Sequence, residues 1–361
     1  MRSAVIIACL VLVGCQEKKA APVAPVFSIR TATTTIKDMP IFIEGLGHVE
    51  SIAAINIRSR IEGELTGVYF TQGQEVKKGD LLFTIDPKPY EASLKEAQGT
   101  LDQNLANLAI AEERVKRYKT LANDEYYSQI DYETLQANFA SNLGLVEQNR
   151  AAVDSAAINL DYCWIYAPVD GMTGILQVDQ GNLVSADGQT LVTVNQMAPI
   201  YVTFSIPEFQ LPLVQKYVKP GADPLKVIIA YENFKDNTIE GSLYMVDNMV
   251  DEKTGMIKLR GLFENKSREL WPGQFVRSRL ILTVLKEAVV MPYSAVQMTV
   301  SGNMVFVVRD DNTIEQRKVK LGQRQDDSVI VLEGLKGGER VAVDGQINLY
   351  QGAKVSVKGE G

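Results

Sequence analysis

Two segments more than a hundred residues apart repeat each other, and nothing else in the chain restricts its fold as strongly. The first runs IEGELTGVYFTQGQEVKKGDLLFTID from Ile61 to Asp86. The second runs VDGMTGILQVDQGNLVSADGQTLVTVN from Val169 to Asn195. Gly63 and Gly73 are ten positions apart, as are Gly171 and Gly181, and a valine follows the second glycine by three in both (Val76, Val184). Apolar residues alternate within each segment, the period of strands with one buried face. Matched glycines mark tight turns between short strands. Either segment alone is too short to bury a core, so the two are expected to pair into one small β-sandwich.

The repeat resembles the biotinyl/lipoyl-type domain, whose halves are related by a pseudo-twofold axis. Carrier versions hold a lysine at the hairpin tip between the halves. Here an insertion of about seventy residues stands in that place, which argues against a swinging-arm carrier. After Pro87 and Pro89, which suit a helix start, apolar residues recur at Leu94, Leu101, Leu108, Val115 and Ala122, with a second row at Ala97, Asn104, Ala111 and Tyr118. NDEYYSQI breaks the pattern. From Asp131 the rows resume at Tyr132, Phe139, Val146, Val153 and Leu160, and at Leu135, Asn142, Asn149 and Ala156. Two equal heptad segments with a short link predict an antiparallel coiled-coil hairpin with arms of about 30 residues, about 45 Å long. Inner asparagines weaken such a seam while fixing its register. Gly99 and Gly144 each cost roughly 1 kcal/mol against alanine. Because both arms return to the same sandwich, a projecting hairpin is the simplest geometry; a helical pair lying flat on the body is the alternative.

The start of the chain reads as an export signal. Arg2 supplies a positive charge, Ala4 to Val13 is an apolar run too short to span a bilayer, and Leu12-Val13-Gly14-Cys15 resembles a bacterial lipobox. Residues 1–14 are then a lipoprotein signal peptide, Cys15 is the lipidated residue, and the Ala- and Pro-rich residues 15–26 form a tether. Cys9 leaves with the signal, so Cys163 remains alone and no disulfide within the mature chain is possible. It sits in the apolar, strand-like run LDYCWIYAP, where a buried inert thiol is expected. The 361 residues are enough for two to four domains. The chain carries a formal charge of −7; taking away Arg2 leaves 36 basic residues against 44 acidic, or −8. That balance speaks against a nucleic-acid binder.

From Pro199 onward the pattern is short strands separated by turns, as in a small barrel followed by a further β domain. Residues 39–49 (MPIFIEGLGHV) supply a strand to the barrel, residues 27–36 (FSIRTATTTI) one to the last domain, and Pro207-EFQLPLVQKYV a short helix. The lone histidine, His48, has no nearby cysteine or paired carboxylate and reads as structural. Asp247 and Asp251 are close together but fall in a hairpin. No P-loop, nucleophile elbow or metal-ligand spacing is present, so no enzyme is expected.

The stretches GQEVKKGDLLFTIDPKPYE, YAPVDGMTG, NQMAPIYVTFSIPE and LWPGQFV, in this order, resemble the periplasmic adaptor (membrane fusion protein, HlyD/MFP) family of RND-type multidrug efflux pumps. The resemblance covers almost the whole mature chain. It implies a mostly β, elongated, nested fold: membrane-proximal domain (27–37 and 286–361), β-barrel (38–50 and 198–285), lipoyl-like domain (51–88 and 162–197) and α-helical hairpin (89–161). It implies a periplasmic protein, lipid-anchored to the inner membrane, with no cofactor, no bound metal and no catalytic residue. Its partners would be an inner-membrane RND transporter driven by protons, a TolC-type outer-membrane channel, and further copies of itself, usually six. Arg117, Leu121 and Ser128, spaced R-x-x-x-L-x-x-x-x-x-x-S, resemble the tip motif that engages the channel. A solvated arginine, a seam-edge leucine and a capping serine are the plainer reading of the same residues. Adaptors of ABC-type or heavy-metal transporters are alternatives. Metal-exporting members use a methionine cluster near the mature N-terminus, where this chain has only Met39, which favours organic substrates. A type I secretion adaptor would begin with a transmembrane helix and carry a longer coiled coil.

Overall fold

The structure is a computed structural model, and it describes residues 26–121, 128–219, 221–231, 234, 237–300 and 302–360. The expected signal peptide (1–14), Cys15 and most of the expected tether lie outside the described residues. In chain order the first elements are β1 (Phe27–Thr33), β2 (Thr35–Ser51), β3 (Ala54–Ile57), β4 (Gly63–Val68), β5 (Glu75–Val76) and β6 (Leu81–Ile85), then the long helices α1 (Lys88–Leu121) and α2 (Gln129–Asp161). Next come β7 (Trp164–Tyr166), β8 (Gly171–Thr173), β9 (Leu183–Val184), β10 (Val192–Asn195), β11 (Ile200–Pro207), the short helix α3 (Leu211–Tyr217), β12 (Lys226–Ala230), β13 (Ile239–Asp251), β14 (Met256–Phe263) and β15 (Phe275–Pro292). The chain ends with β16 (Gln297–Thr299), β17 (Gly302–Val308), β18 (Ile314–Lys318), β19 (Lys320–Gln325), β20 (Ser328–Glu333), β21 (Arg340–Asp344) and β22 (Val355–Glu360). Two compact units result among the described residues: 43–280, and 26–42 with 281–360.

In the larger unit the repeat forms two small sheets, β3-β10-β8-β5 and β7-β6-β4-β9. Each half lends its short middle strand to the other half's sheet. Gly63 pairs with Val184 through β4–β9, and Val76 pairs with Gly171 through β5–β8. The glycines are needed where strands close in: a Cβ on Gly171 would lie 2.6 Å from the Asn195 carbonyl oxygen. Between the sheets lie Leu65, Leu82, Phe83, Ile85, Leu191, Val192 and Val194, all buried. Full burial of such side chains contributes about 1.5–3 kcal/mol each. Cys163 joins this core from the turn between α2 and β7, so it lies just before the strand in which the sequence placed it.

The barrel of the same unit has the order β12-β13-β14-β11-β2-β15 and is closed by β12 pairing with β15. Strand β2 comes from the start of the chain and pairs antiparallel with β11. Phe204 projects inward where Gly47 stands opposite, and a Cβ on Gly47 would lie 2.7 Å from the Phe204 Cβ. Gly241 and Gly261 leave room for Phe263 in the same way. The turn after β14 is fixed by Asn265, which is buried, in the left-handed region at φ 48°. Its amide donates to the carbonyls of Met197 (2.7 Å) and Leu270 (2.9 Å) and accepts from the Leu270 N–H (3.0 Å). Arg268 in that turn forms an ion pair with Glu75 on β5.

The smaller unit holds the sheet β16-β17-β21-β1-β22, with β18 on β17. Strand β1 runs antiparallel to β21 and parallel to β22. The end of β15 pairs with β20, and β20 with β19. Gln323 acts as a substitute strand neighbour, donating to the Phe42 carbonyl (2.6 Å) while accepting from the Phe42 N–H (3.0 Å).

Candidate functional site

Helices α1 and α2 pack against each other. On α1 the partly covered residues of the described stretch from Leu94 to Tyr118 are Leu94, Ala97, Leu101, Asn104, Leu108, Ala111, Val115 and Tyr118. On α2 they are Tyr132, Leu135, Phe139, Asn142, Asn149, Val153, Ala156 and Leu160, with Val146 fully buried. These are the heptad positions, so each helix turns one narrow, mostly apolar stripe away from water, while Leu105, Ile110, Leu143, Leu145 and Ile158 stay exposed outside it.

The roots of the helices are fixed to the small sandwich. Tyr90, in the first turn of α1, donates its hydroxyl to the Glu62 carbonyl at 2.7 Å. Leu160, Tyr162 and Trp164 pack on the sandwich core, and the Arg60 guanidinium lies 4.9 Å from the Tyr162 ring centre. The Cys163 carbonyl accepts from Ile85 N–H at 2.8 Å. Burial, with Asp86 and Glu91 nearby, pushes the Cys163 thiol up to about 11. A thiol so protonated at neutral pH is a poor nucleophile.

At the far end, Arg117 is exposed, and its carbonyl accepts from the Thr120 hydroxyl at 2.7 Å. Leu121 is the last residue of α1, one turn beyond Arg117. Ser128 is exposed and holds the N-cap position of α2 with extended backbone, and its side chain makes no capping bond. Residues 122–127 lie outside the described residues. Thus Arg117 and Leu121 share the end of one helix, and Ser128 opens the next. Cys15 is outside the described residues.

The sequence reading passed over the charge at this end. Arg114, Lys116, Arg117 and Lys119 are all exposed near the C-terminus of α1, and Asp131 stands in the first turn of α2. Both signs suit the helix dipoles. The run ERVKRYK carried that signal.

Among the described residues no group of His, Cys, Asp and Glu could hold a metal ion. His48 lies 2.8 Å from Glu50 Oε1, and Glu50 Oε2 accepts from Thr203 (2.8 Å) and Arg260 (3.1 Å). These contacts tie β2, β11 and β14 together through one carboxylate. No helix among the described residues is long and apolar enough to cross a membrane.

Three family models match in sequence order: the RND MFP barrel-sandwich hybrid domain at residues 53–196, the RND MFP β-barrel domain at 199–284, and the RND MFP C-terminal permuted SH3 domain at 287–347. The chain belongs to the RND membrane fusion protein family, the periplasmic adaptors of RND efflux pumps. Among its relatives, the multidrug resistance protein MdtA of Pantoea ananatis (strain AJ13355) is 37% identical over 338 residues, covering 93% of this chain and 81% of the relative. MdtA of Proteus mirabilis (strain HI4320) is 37% identical over 334 residues, covering 92% and 81%. Among solved structures, MacA from Actinobacillus actinomycetemcomitans is similar with a TM-score of 0.60 at 21% identity, covering 86% of this chain and 98% of that one. A MacA–MexA chimera containing the Pseudomonas aeruginosa MexA α-hairpin domain gives a TM-score of 0.54 at 25% identity, covering 85% and 97%.

Proposed function

We propose that this protein links an inner-membrane, proton-driven RND transporter to a TolC-type outer-membrane channel, for the export of drugs and other organic molecules, and catalyses no reaction itself. The observation that carries this reading is the pair of long helices rooted in the small sandwich of a chain that aligns with MdtA over nine-tenths of its length. In this reading α1 and α2 are an antiparallel coiled-coil hairpin between residues 89 and 161. Arg117, Leu121 and Ser128 at its tip are the channel contact. The lipoyl-like domain (51–88, 162–197), the barrel (38–50, 198–285) and the membrane-proximal domain (27–37, 286–361) make up the rest of the chain, and the last two grip the transporter. Cys15 carries the lipid that holds the body at the inner membrane. Six copies ring the pump, so each tip contact can be weak while the ring binds tightly.

The tip assignment is tested by Arg117→Asp in a strain that depends on this protein for drug tolerance. Reversal of charge at an exposed site should abolish efflux while the thermal unfolding midpoint stays within a few degrees of the parent. Unchanged drug tolerance would contradict the tip assignment.

A further inference from the structure

The small sandwich carries two unlike features on opposite flanks, and its own fold satisfies neither. The first is a groove of about 520 Å³ bordered by β3 and β7, the free edges of its two sheets. Tyr162, Trp164 and Tyr166 line it, and Tyr166 is 49% exposed. Arg58 and Arg60 are also among its walls, and Arg60 lies over the Tyr162 ring at the root of α2. Asp161 and Asp187 border the same groove, but neither forms an ion pair with either arginine. Exposed aromatic rings beside guanidiniums that no carboxylate neutralises have the composition of a protein contact surface, where Tyr, Trp and Arg are enriched.

The second feature is on the far edge of the sheet β7-β6-β4-β9. Three strand spacings, roughly 14 Å, separate it from β7. There Leu183 on β9 is 78% exposed, the most exposed leucine among the described residues. The hollow beside it is lined by Glu62, Glu64 and Asp86, none of which forms an ion pair among the described residues. Tyr90, at the root of α1, is a further wall. The link between β3 and β4 thus carries both signs. Arg60 stands beside α2, and Glu62, two residues on, stands beside α1.

A two-fold contact would bring like flanks together, carboxylates against carboxylates. Unlike flanks match instead: an apolar knob among anions on one, an aromatic groove with two cations on the other. Every copy has both, so the contact repeats head to tail, and such contacts form a ring when the rotation between copies closes. We infer that the groove of one copy receives Leu183 of the next, with Glu62 and Glu64 of that copy facing Arg58 and Arg60. This deepens the ring of copies proposed above and rests on it. It assigns the β7 and β9 flanks of the sandwich as the place where neighbours meet.

The test uses Tyr166→Cys and Leu183→Cys in the full-length protein in cells, treated with a short bis-maleimide. Chains with one cysteine each should give cross-linked dimers only when the two are expressed together. A chain with both should give a ladder of dimers, trimers and higher species. The parent, whose Cys163 is buried, should give none. Adding Arg58→Glu should reduce the ladder about fivefold, while the unfolding midpoint stays that of the two-cysteine chain. An undiminished ladder in Arg58→Glu would overturn the assignment. So would dimers from Leu183→Cys alone, since like flanks would then be meeting. If an amine-reactive reagent joins copies while the two-cysteine chain gives no ladder, the ring stands and this interface is wrong.

Discussion

Val76 stands directly opposite Gly171 in the β5–β8 ladder, joining residues from two copies of the repeat. The same exchange occurs at Gly63 and Val184. Neither half can form its sheet alone, so the sandwich closes only when both arms of the chain have returned to it. That requirement fixes the roots of α1 and α2 side by side.

The close approach at Gly171 makes it intolerant of a side chain. Gly171→Val should destabilise the sandwich by about 1–3 kcal/mol, the range for forcing extra atoms into a packed site. The chain has two tryptophans, Trp164 in the sandwich and Trp271 in the barrel. Trp271→Phe therefore leaves Trp164 as a reporter for urea unfolding. By contrast, a Cβ on Gly99 or Gly144 meets nothing within 4 Å, and alanine at either should raise helix stability by about 0.5–1 kcal/mol. A Gly171→Val midpoint equal to the parent would show that the sheets tolerate separation there.

Asn265 makes three hydrogen bonds from a buried side chain and adopts a left-handed conformation that asparagine tolerates better than most residues. Asn265→Ala leaves the Met197 and Leu270 carbonyls and the Leu270 N–H without this partner. The expected loss is about 2–4 kcal/mol, from unpaired buried groups and backbone strain together. Unfolding followed by Trp271 fluorescence measures it, since Trp271 adjoins the turn.

Glu50 links pH to barrel stability. Burial pushes its carboxyl up, but hydrogen bonds from Thr203 and His48 and the charge of Arg260 outweigh burial and hold it below the ordinary 4.5. The folded state thus binds this proton more weakly than the unfolded state. The stabilisation is complete above about pH 4.5 and fades as pH falls through the lower, folded value. With Trp164→Phe isolating Trp271, acidification below about pH 4.5 should lower the urea midpoint more in the parent than in Glu50→Gln. Parallel curves would remove Glu50 from the account.

On the proposed lipid anchor at Cys15, Cys15→Ser should release the protein from membranes into the soluble periplasmic fraction in cells lacking the transporter. Fractionation and immunoblotting read the result. Recovery of the variant wholly with membranes would show that something else holds it.

Much of this architecture is legible in the residues because the physical constraints are local. Leu94, Leu101 and Leu108 repeat every seven positions, and a helix translates that spacing into one stripe whatever surrounds it. Gly63, Gly73, Gly171 and Gly181 mark turns and close approaches that few other residues satisfy. The exchange of β5 and β9 between the sheets was not legible, because strand pairing is decided by contacts across a hundred residues. The arginines and lysines before Leu121 were visible as letters, but their common place at a helix end required the helix boundary.

The central claim is that this chain bridges an RND transporter and an outer-membrane channel. It is tested most directly by crosslinking intact cells, affinity-purifying the full-length protein and identifying its partners by mass spectrometry. The account predicts an inner-membrane RND transporter together with a TolC-type channel, with the channel lost in Arg117→Asp and the transporter retained. Recovery of an ABC-type transporter in place of the RND protein, or of the channel undiminished by Arg117→Asp, would contradict it.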